Sequence, residues 1–206
     1  ALTVALLSAA SLLLGNIGAL AQTNVRRLLA YSAIAHAGAL LLGVIAAGRI
    51  GLGPLYFYAA TYGLATVGAF GVIAALESAG PVQNLTDLAG LYRRSPLLAG
   101  CLAVYILSLA GIPPLAGFFG KFAVFSSVLR LGGLAGPAGW LVILAIALSA
   151  VALYYYLLIL KQALVAAPAK EAARVTTPWP ARVSLVIAAG LLVLLGVMPS
   201  LLLRLF

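Results

Sequence analysis

Charge is what this sequence lacks most. Only 7% of its 206 residues are Asp, Glu, Lys or Arg, while 65% are hydrophobic. A soluble domain carries about a quarter charged residues. So few charges cannot cover a water-facing surface, so the outside of this chain must face lipid. Cys101 is the single cysteine, which excludes an intrachain disulfide and a thiolate metal site. His36 is the single histidine, and without a Cys or His cluster there is no basis for zinc, haem or an iron–sulfur centre. No glycine-rich loop stands between a strand and a helix, which excludes the usual nucleotide site. No nucleophile can be matched with a base and an orienting acid. The net charge of +9 would suit nucleic acid, but the basic residues stand in the gaps between apolar runs. That is the membrane pattern, and no nucleic-acid partner is expected.

What the chain has is apolar length. A spanning helix needs about 20 mostly apolar residues. Six runs meet that need, at about 1–21, 25–47, 53–76, 96–129, 138–161 and 183–205. The expected fold is therefore all-α and integral to the membrane. It is a single membrane domain over 1–206 with about six transmembrane helices, one of them discontinuous. The first run begins at Ala1 without an initiator Met, and it has neither the basic start nor the cleavage site of a signal peptide. It reads as an excerpt from a longer membrane protein.

The connections carry turn and cap signals. Gln22-Thr23-Asn24 ends the first run. A polar stretch from Glu77 to Ser95 holds Asp87, Arg93 and Arg94, with Glu77 and Asp87 read as solvated loop charges. Ser95-Pro96 suits a helix start. Gly132-Gly133 and Gly136-Pro137 mark a turn. The segment from Ala166 to Arg182 contains three prolines and reads as a surface loop with a short interfacial helix. Arg26, Arg27, Arg93, Arg94, Lys161, Lys170, Arg174 and Arg182 fall on one side of the membrane, and Arg49, Arg130 and Arg204 on the other. The positive-inside rule places the first set in the cytoplasm and both ends, Ala1 and Phe206, outside.

The fourth run is too long. From Pro96 to Leu129 it has 34 residues, about 50 Å as a straight helix against a hydrocarbon core of about 30 Å. Its middle reads Gly111-Ile112-Pro113-Pro114-Leu115-Ala116-Gly117. Each proline removes a donor and clashes with the preceding turn, and the residue before a proline avoids the helical region. The helix is expected to break over 111–117. Freed backbone groups are tolerated in a bilayer only where protein or water satisfies them. A polar pocket at mid-depth follows, of the kind that discontinuous helices build in transporters.

Lys121 lies just after the break in an apolar run, GFFGKFAVF. An ammonium at mid-membrane is costly, and such groups usually mark ion or proton pathways. One reading is a proton-accepting site, the other a structural lysine held by a buried carboxylate or carbonyl. No carboxylate lies within a span. His36, near half depth in its span, suits a proton relay or an interhelical hydrogen bond. Tyr31 and Ser32 lie one turn before it, and Tyr105 and Ser108 precede the break. These four hydroxyls are candidates for a polar path, the other reading of each being a bond to a neighbouring helix. Asn16, Thr61, Tyr62 and the run Tyr154-Tyr155-Tyr156 are weaker ones, an aromatic belt being the other reading of the run.

Two long strings carry a resemblance that covers essentially the whole chain. NIGALAQTNVRRLLAYSAIAHAG, residues 16–38, resembles the signature of the antiporter-like membrane subunits of respiratory complex I and related cation/proton antiporters. SLAGIPPLAGFFGKFAVF, residues 108–125, is similar to the family's broken helix, lysine included. DLAGLYRRSPLLAG, 87–100, and the tyrosine run resemble the subunit N branch of bacterial NADH–quinone oxidoreductase. The resemblance implies a fold of about fourteen helices in two inverted repeats, with these spans as the second repeat and the C-terminal helices. It implies a role for Lys121 in proton translocation and a place for His36 on a polar axis along the membrane. NADH oxidation and quinone reduction would occur elsewhere in the complex. This chain would hold no cofactor, with FMN, iron–sulfur clusters and quinone in other subunits. Partners would be the lipid bilayer, protons, and other antiporter-like and small membrane subunits in a bacterial inner (plasma) membrane. The family's expected upstream glutamate and lysines are not in this sequence. A subunit of a sodium/proton antiporter complex is the alternative. A scaffold whose lysine only packs is a third reading.

Overall fold

The computed structural model describes residues 2–136, 138–168 and 175–203, with Leu202 and Leu203 described by backbone alone. Ala1, Pro137, Lys170, Arg174, Arg204, Leu205 and Phe206 lie outside the described residues. Among the described residues every regular element is helical. The long helices are α1 (Leu2–Leu20), α2 (Val25–Ile50), α3 (Gly53–Leu76), α7 (Gly139–Leu160) and α8 (Trp179–Val197). Each, with its terminal turns, is long and apolar enough to cross a membrane. Between α3 and α7 come a single turn, α4 (Leu91–Arg94), and two half-length helices, α5 (Pro96–Ala110) and α6 (Ala116–Leu129). A last turn, α9, covers Ser200–Leu203.

Local chemistry explains the boundaries. The Asn24 side chain caps α2 by accepting from the backbone N–H groups of Arg26 and Arg27, both at 3.0 Å, the usual role of Asn at an N-cap. At its other end α2 runs to Ile50, past the expected 47, and stops at Gly51 with φ 95°. Arg49 thus lies within the last turn, where a cation favours the helix dipole. The final helix begins at Trp179, earlier than the expected 183. Trp179 to Arg182 is therefore helix rather than surface loop, because Pro180 falls in the first turn, where the missing N–H costs nothing. The same helix stops at Val197 instead of running on to 205. Pro199 follows Met198, and a residue before proline is driven out of the helical region.

The polar stretch after α3 is docked rather than free. Short 3-10 turns at Glu77–Ala79 and Leu85–Leu88 precede α4, and Leu88 and Leu91 are fully buried. The Gly90 N–H donates to the Gln162 carbonyl at 3.2 Å, joining this stretch to the π-helical turn Lys161–Val165 after α7. Asp87 is not simply solvated: its carboxylate accepts from the N–H groups of Gln83 and Asn84 at 2.9 and 2.7 Å. Glu77 is exposed and paired with Arg26.

The interior is layered. One apolar cluster gathers Ala19, Val25, Leu28, Ala69, Leu102 and Ile159. A second gathers Leu12, Leu42, Ala46, Val124, Leu141 and Val142. Along α1, Asn16 falls between residues of the two clusters. Ser32 and His36 do so along α2, Thr61 along α3, Lys121 along α6 and Ser149 along α7. A polar layer is thus held between two dry ones.

Candidate functional site

The site starts at the break. Gly111 ends α5 in the left-handed conformation, with φ 83°, which a glycine adopts without strain. Its N–H donates to the Ser108 carbonyl at 3.0 Å, and the Ile112 N–H donates to the Leu107 carbonyl at 3.1 Å. These are the two bonds of a Schellman end. A tight turn containing a cis Pro113–Pro114 peptide follows, closed by the Leu115 N–H on the Ile112 carbonyl at 3.1 Å. The second half-helix then starts against the first. The Gly117 N–H donates to Ser108 Oγ at 3.2 Å, and a Cβ at Gly117 would fall on the Ser108 carbonyl oxygen. From the other side α8 covers the break, with Gly196 against the Pro114 carbonyl.

Four carbonyls are left over at the end of any helix. In α5 the Schellman bonds take those of Leu107 and Ser108. Lys121 takes the other two: its Nζ donates to the carbonyls of Leu109 and Ala110, both at 3.1 Å. The side chain is buried and lies along Gly111, where a Cβ would come within 3.1 Å of Lys121 Cδ. A charged donor bonded to carbonyl gains roughly 1.5–3 kcal/mol per bond, against about 2.5–3.5 kcal/mol for a lysine at a helix centre on insertion scales. The two carbonyls that the break leaves over therefore offset much of the cost of placing an ammonium there. Among the described residues, Lys121 is held by the backbone of its own span.

His36 is satisfied differently. Nδ1 is hydrogen-bonded to the Tyr58 hydroxyl at 2.6 Å and Nε2 to the Tyr156 hydroxyl at 3.1 Å. Tyr62 stacks on the imidazole, with centroids 4.6 Å apart and planes at 23°. The Tyr156 hydroxyl is also hydrogen-bonded to Ser32 Oγ. Beside it, the Tyr155 hydroxyl donates to Asn16 Oδ1 at 3.1 Å, and Asn16 Nδ2 donates back to the Leu12 carbonyl at 2.8 Å. The two centres share a cavity of about 20 Å³, lined among others by Lys121, His36, Tyr58 and Ser149. A water needs roughly 10–15 Å³ measured this way, so there is room for about one.

Not every sequence candidate joins the hydrogen-bonded network of Lys121 and His36. Ser32 does, through Tyr156. Ser108 is spent on joining the two half-helices. The Tyr105 hydroxyl donates to the Leu185 carbonyl at 2.5 Å, which clasps α5 to α8. The Tyr31 ring packs against Gly18 of α1. Thr61 donates to the carbonyls of Phe57 and Tyr58 on its own helix. The tyrosine run is no simple belt: Tyr154 is exposed, but Tyr155 and Tyr156 are buried, since successive residues on a helix point about 100° apart. Sequence reasoning misses Tyr58 as a member of the site and holds Tyr156 only as one of the weaker candidates. The available signal is spacing: Tyr58 and Tyr62 stand four apart on α3, one above the other.

Comparison with known proteins places this geometry. Residues 1–151 match the family model described as NADH:quinone oxidoreductase/Mrp antiporter, transmembrane. Over 94% of its length the chain is 55% identical to NADH-quinone oxidoreductase subunit N 2 of Acidobacterium capsulatum, covering 39% of that protein. It superposes with a TM-score of 0.84 on a chain of Thermus thermophilus respiratory complex I, at 42% identity, covering 98% of this chain and 44% of that one. A chain of the Mrp complex from Dietzia sp. shares the fold, with a TM-score of 0.83 at 23% identity over 98% of this chain and 45% of that one. The chain thus spans about two fifths of the relatives that it matches. With the family model covering most of its residues, and the lysine and histidine of the resemblance buried on one cavity beside the break, the chain belongs to the NADH:quinone oxidoreductase/Mrp antiporter transmembrane family.

Proposed function

We propose that this chain is part of a proton-translocating membrane subunit of a bacterial NADH–quinone oxidoreductase, with Lys121 as the group that loads and releases the proton. The observation that carries the reading is the seat of Lys121. Its Nζ spends two of three donor positions on the Leu109 and Ala110 carbonyls and lines a cavity that it shares with His36. A neutral amine still has two N–H groups. Both carbonyl bonds therefore survive deprotonation, and the third position exchanges a proton with the cavity. The lysine changes charge without dismantling the break.

In this reading residues 1–206 form one membrane domain. The Arg26 end of α2 faces the cytoplasm and both chain ends face the other side of the bacterial inner membrane. Electron transfer, with FMN, iron–sulfur clusters and quinone, belongs to other subunits, and neighbouring membrane subunits pack alongside. The fold is shared with the Mrp chain, so fold alone admits sodium/proton antiport. The identity favours complex I, at 42% against 23%.

Lys121→Met in the full-length protein is the test. Expected is loss of NADH-driven proton uptake into inverted membrane vesicles while the complex still assembles. An assembled variant with an undiminished proton-to-electron ratio overturns the assignment. Sodium-dependent proton flux in vesicles without NADH oxidation would favour the antiporter alternative.

A further inference from the structure

The imidazole of His36 has two nitrogens, and two hydroxyls satisfy both. The hydrogen-bonded chain nevertheless continues. Tyr156 is bonded to His36 Nε2 and also to Ser32 Oγ. A serine inside a helix usually turns back to the carbonyl one turn earlier. Ser32 instead meets a tyrosine from α7, 124 residues away in sequence. At the other end Tyr58 is bonded to Nδ1 and lines the cavity shared with Lys121. The result is one unbroken row: cavity, Tyr58, His36, Tyr156, Ser32. It runs along α2 toward the Arg26 end.

We propose that Tyr58 and Tyr156 are links of a proton wire in which His36 is the middle group. The proposal rests on the reading of Lys121 as the proton-loading site and adds the route between that site and Ser32. In the starting arrangement Ser32 donates to Tyr156, Tyr156 donates to bare Nε2, and Nδ1–H donates to Tyr58. A proton from water on the Arg26 side binds the Ser32 oxygen as the Ser32 proton passes to Tyr156 and the Tyr156 proton to Nε2. The Nδ1 proton passes to Tyr58, and the Tyr58 proton crosses the cavity to the neutral Lys121 amine. One O–H or N–H bond forms for each that breaks, and no group of the row is left charged, the charge arriving on Lys121. The passage leaves His36 in its other tautomer, so the hydroxyls and the ring must turn back before the next proton. Val25, Leu28 and Leu29 are buried at the Arg26 end of α2, so helix movement has to admit water to Ser32. The neighbouring Tyr155–Asn16 pair is no branch of the wire, because Asn16 ends on a backbone carbonyl.

The test compares Tyr156→Phe, Ser32→Ala, Tyr105→Phe and Lys121→Met in the assembled full-length complex. The readouts are the proton-to-electron ratio and the solvent deuterium isotope effect on proton uptake. Tyr156→Phe keeps the ring and removes the link, while Tyr58 and the Tyr62 stack still hold His36. The ratio is expected to fall at least twofold, with a changed isotope effect. Tyr105→Phe removes a buried hydroxyl outside the row and is expected to change neither. Assembled Tyr156→Phe with wild-type ratio and isotope effect overturns the wire, and Lys121→Met tested alongside shows whether the lysine reading still stands. If Tyr156→Phe does not assemble, Ser32→Ala decides. A lowered ratio supports the wire and an unchanged one overturns it.

Discussion

The α5–α6 pair and α2 each carry one basic side chain into the apolar interior, and they accommodate it in opposite ways. α2 is continuous over 26 residues, so its interior carbonyls and N–H groups are used along its own length. His36 has to borrow hydroxyls from α3 and α7. The other span is interrupted, and Lys121 is held by the two carbonyls that the interruption leaves over. A group held by its own span keeps its partners when neighbouring helices shift. A group held by two other helices loses or exchanges partners when they do. The lysine is thus the stable seat, and the histidine is the group whose connections respond to helix movement.

The largest effect should come from closing the gap at the break. Gly117→Ala puts a methyl group onto the Ser108 carbonyl, so α5 and α6 must separate. The cost should reach or exceed the roughly 1–3 kcal/mol typical of overpacking, and Lys121 should lose its carbonyls with it. Reduced thermal stability of the solubilised complex and loss of proton uptake are expected together. Wild-type behaviour in both would mean that the break has slack and that the comparison fails on its lysine side. A smaller effect belongs to the histidine side. Tyr62→Leu removes the ring stacked on His36, worth about 0.5–1.5 kcal/mol. A modest fall in thermal midpoint with slowed proton uptake is expected. A stability loss as large as that of Gly117→Ala would show that the borrowed contacts are no softer than the break. The smallest effect should be at the surface. Glu77→Gln removes the exposed pair with Arg26, and such pairs contribute about 0–1 kcal/mol. Its melting curve should overlay that of the wild type, and a clear shift would mean that this end of α2 is held more firmly than its exposure implies.

Much of the fold and part of the site are legible in the sequence. A lysine in an apolar run stands out because there is so little charge to hide it among. The break stands out because Gly111, Pro113, Pro114 and Gly117 each disfavour an ordinary helix. The boundaries at Trp179 and Val197 are less legible, since a proline both starts a helix and stops one, and its local string does not say which. The role of Tyr156 is hidden more deeply. Three consecutive tyrosines look alike in sequence, and their difference lies in which neighbour each one meets. Ser108 and Tyr105 show the reverse case: both are polar residues near the break, yet their hydroxyls are consumed by packing.

The sequence by itself determined that this is a set of membrane-spanning helices, that one of them is broken, and that a lysine follows the break. These conclusions rest on composition, length and backbone chemistry, which are local properties and need no partner. Only the tertiary structure decided what the lysine and the histidine touch. The apolar helices here have no strongly one-sided face, because lipid and protein interior are nearly alike to them. Their rotation is set by close-packed glycines, the fit of aromatic rings and buried hydrogen bonds between residues far apart in the chain.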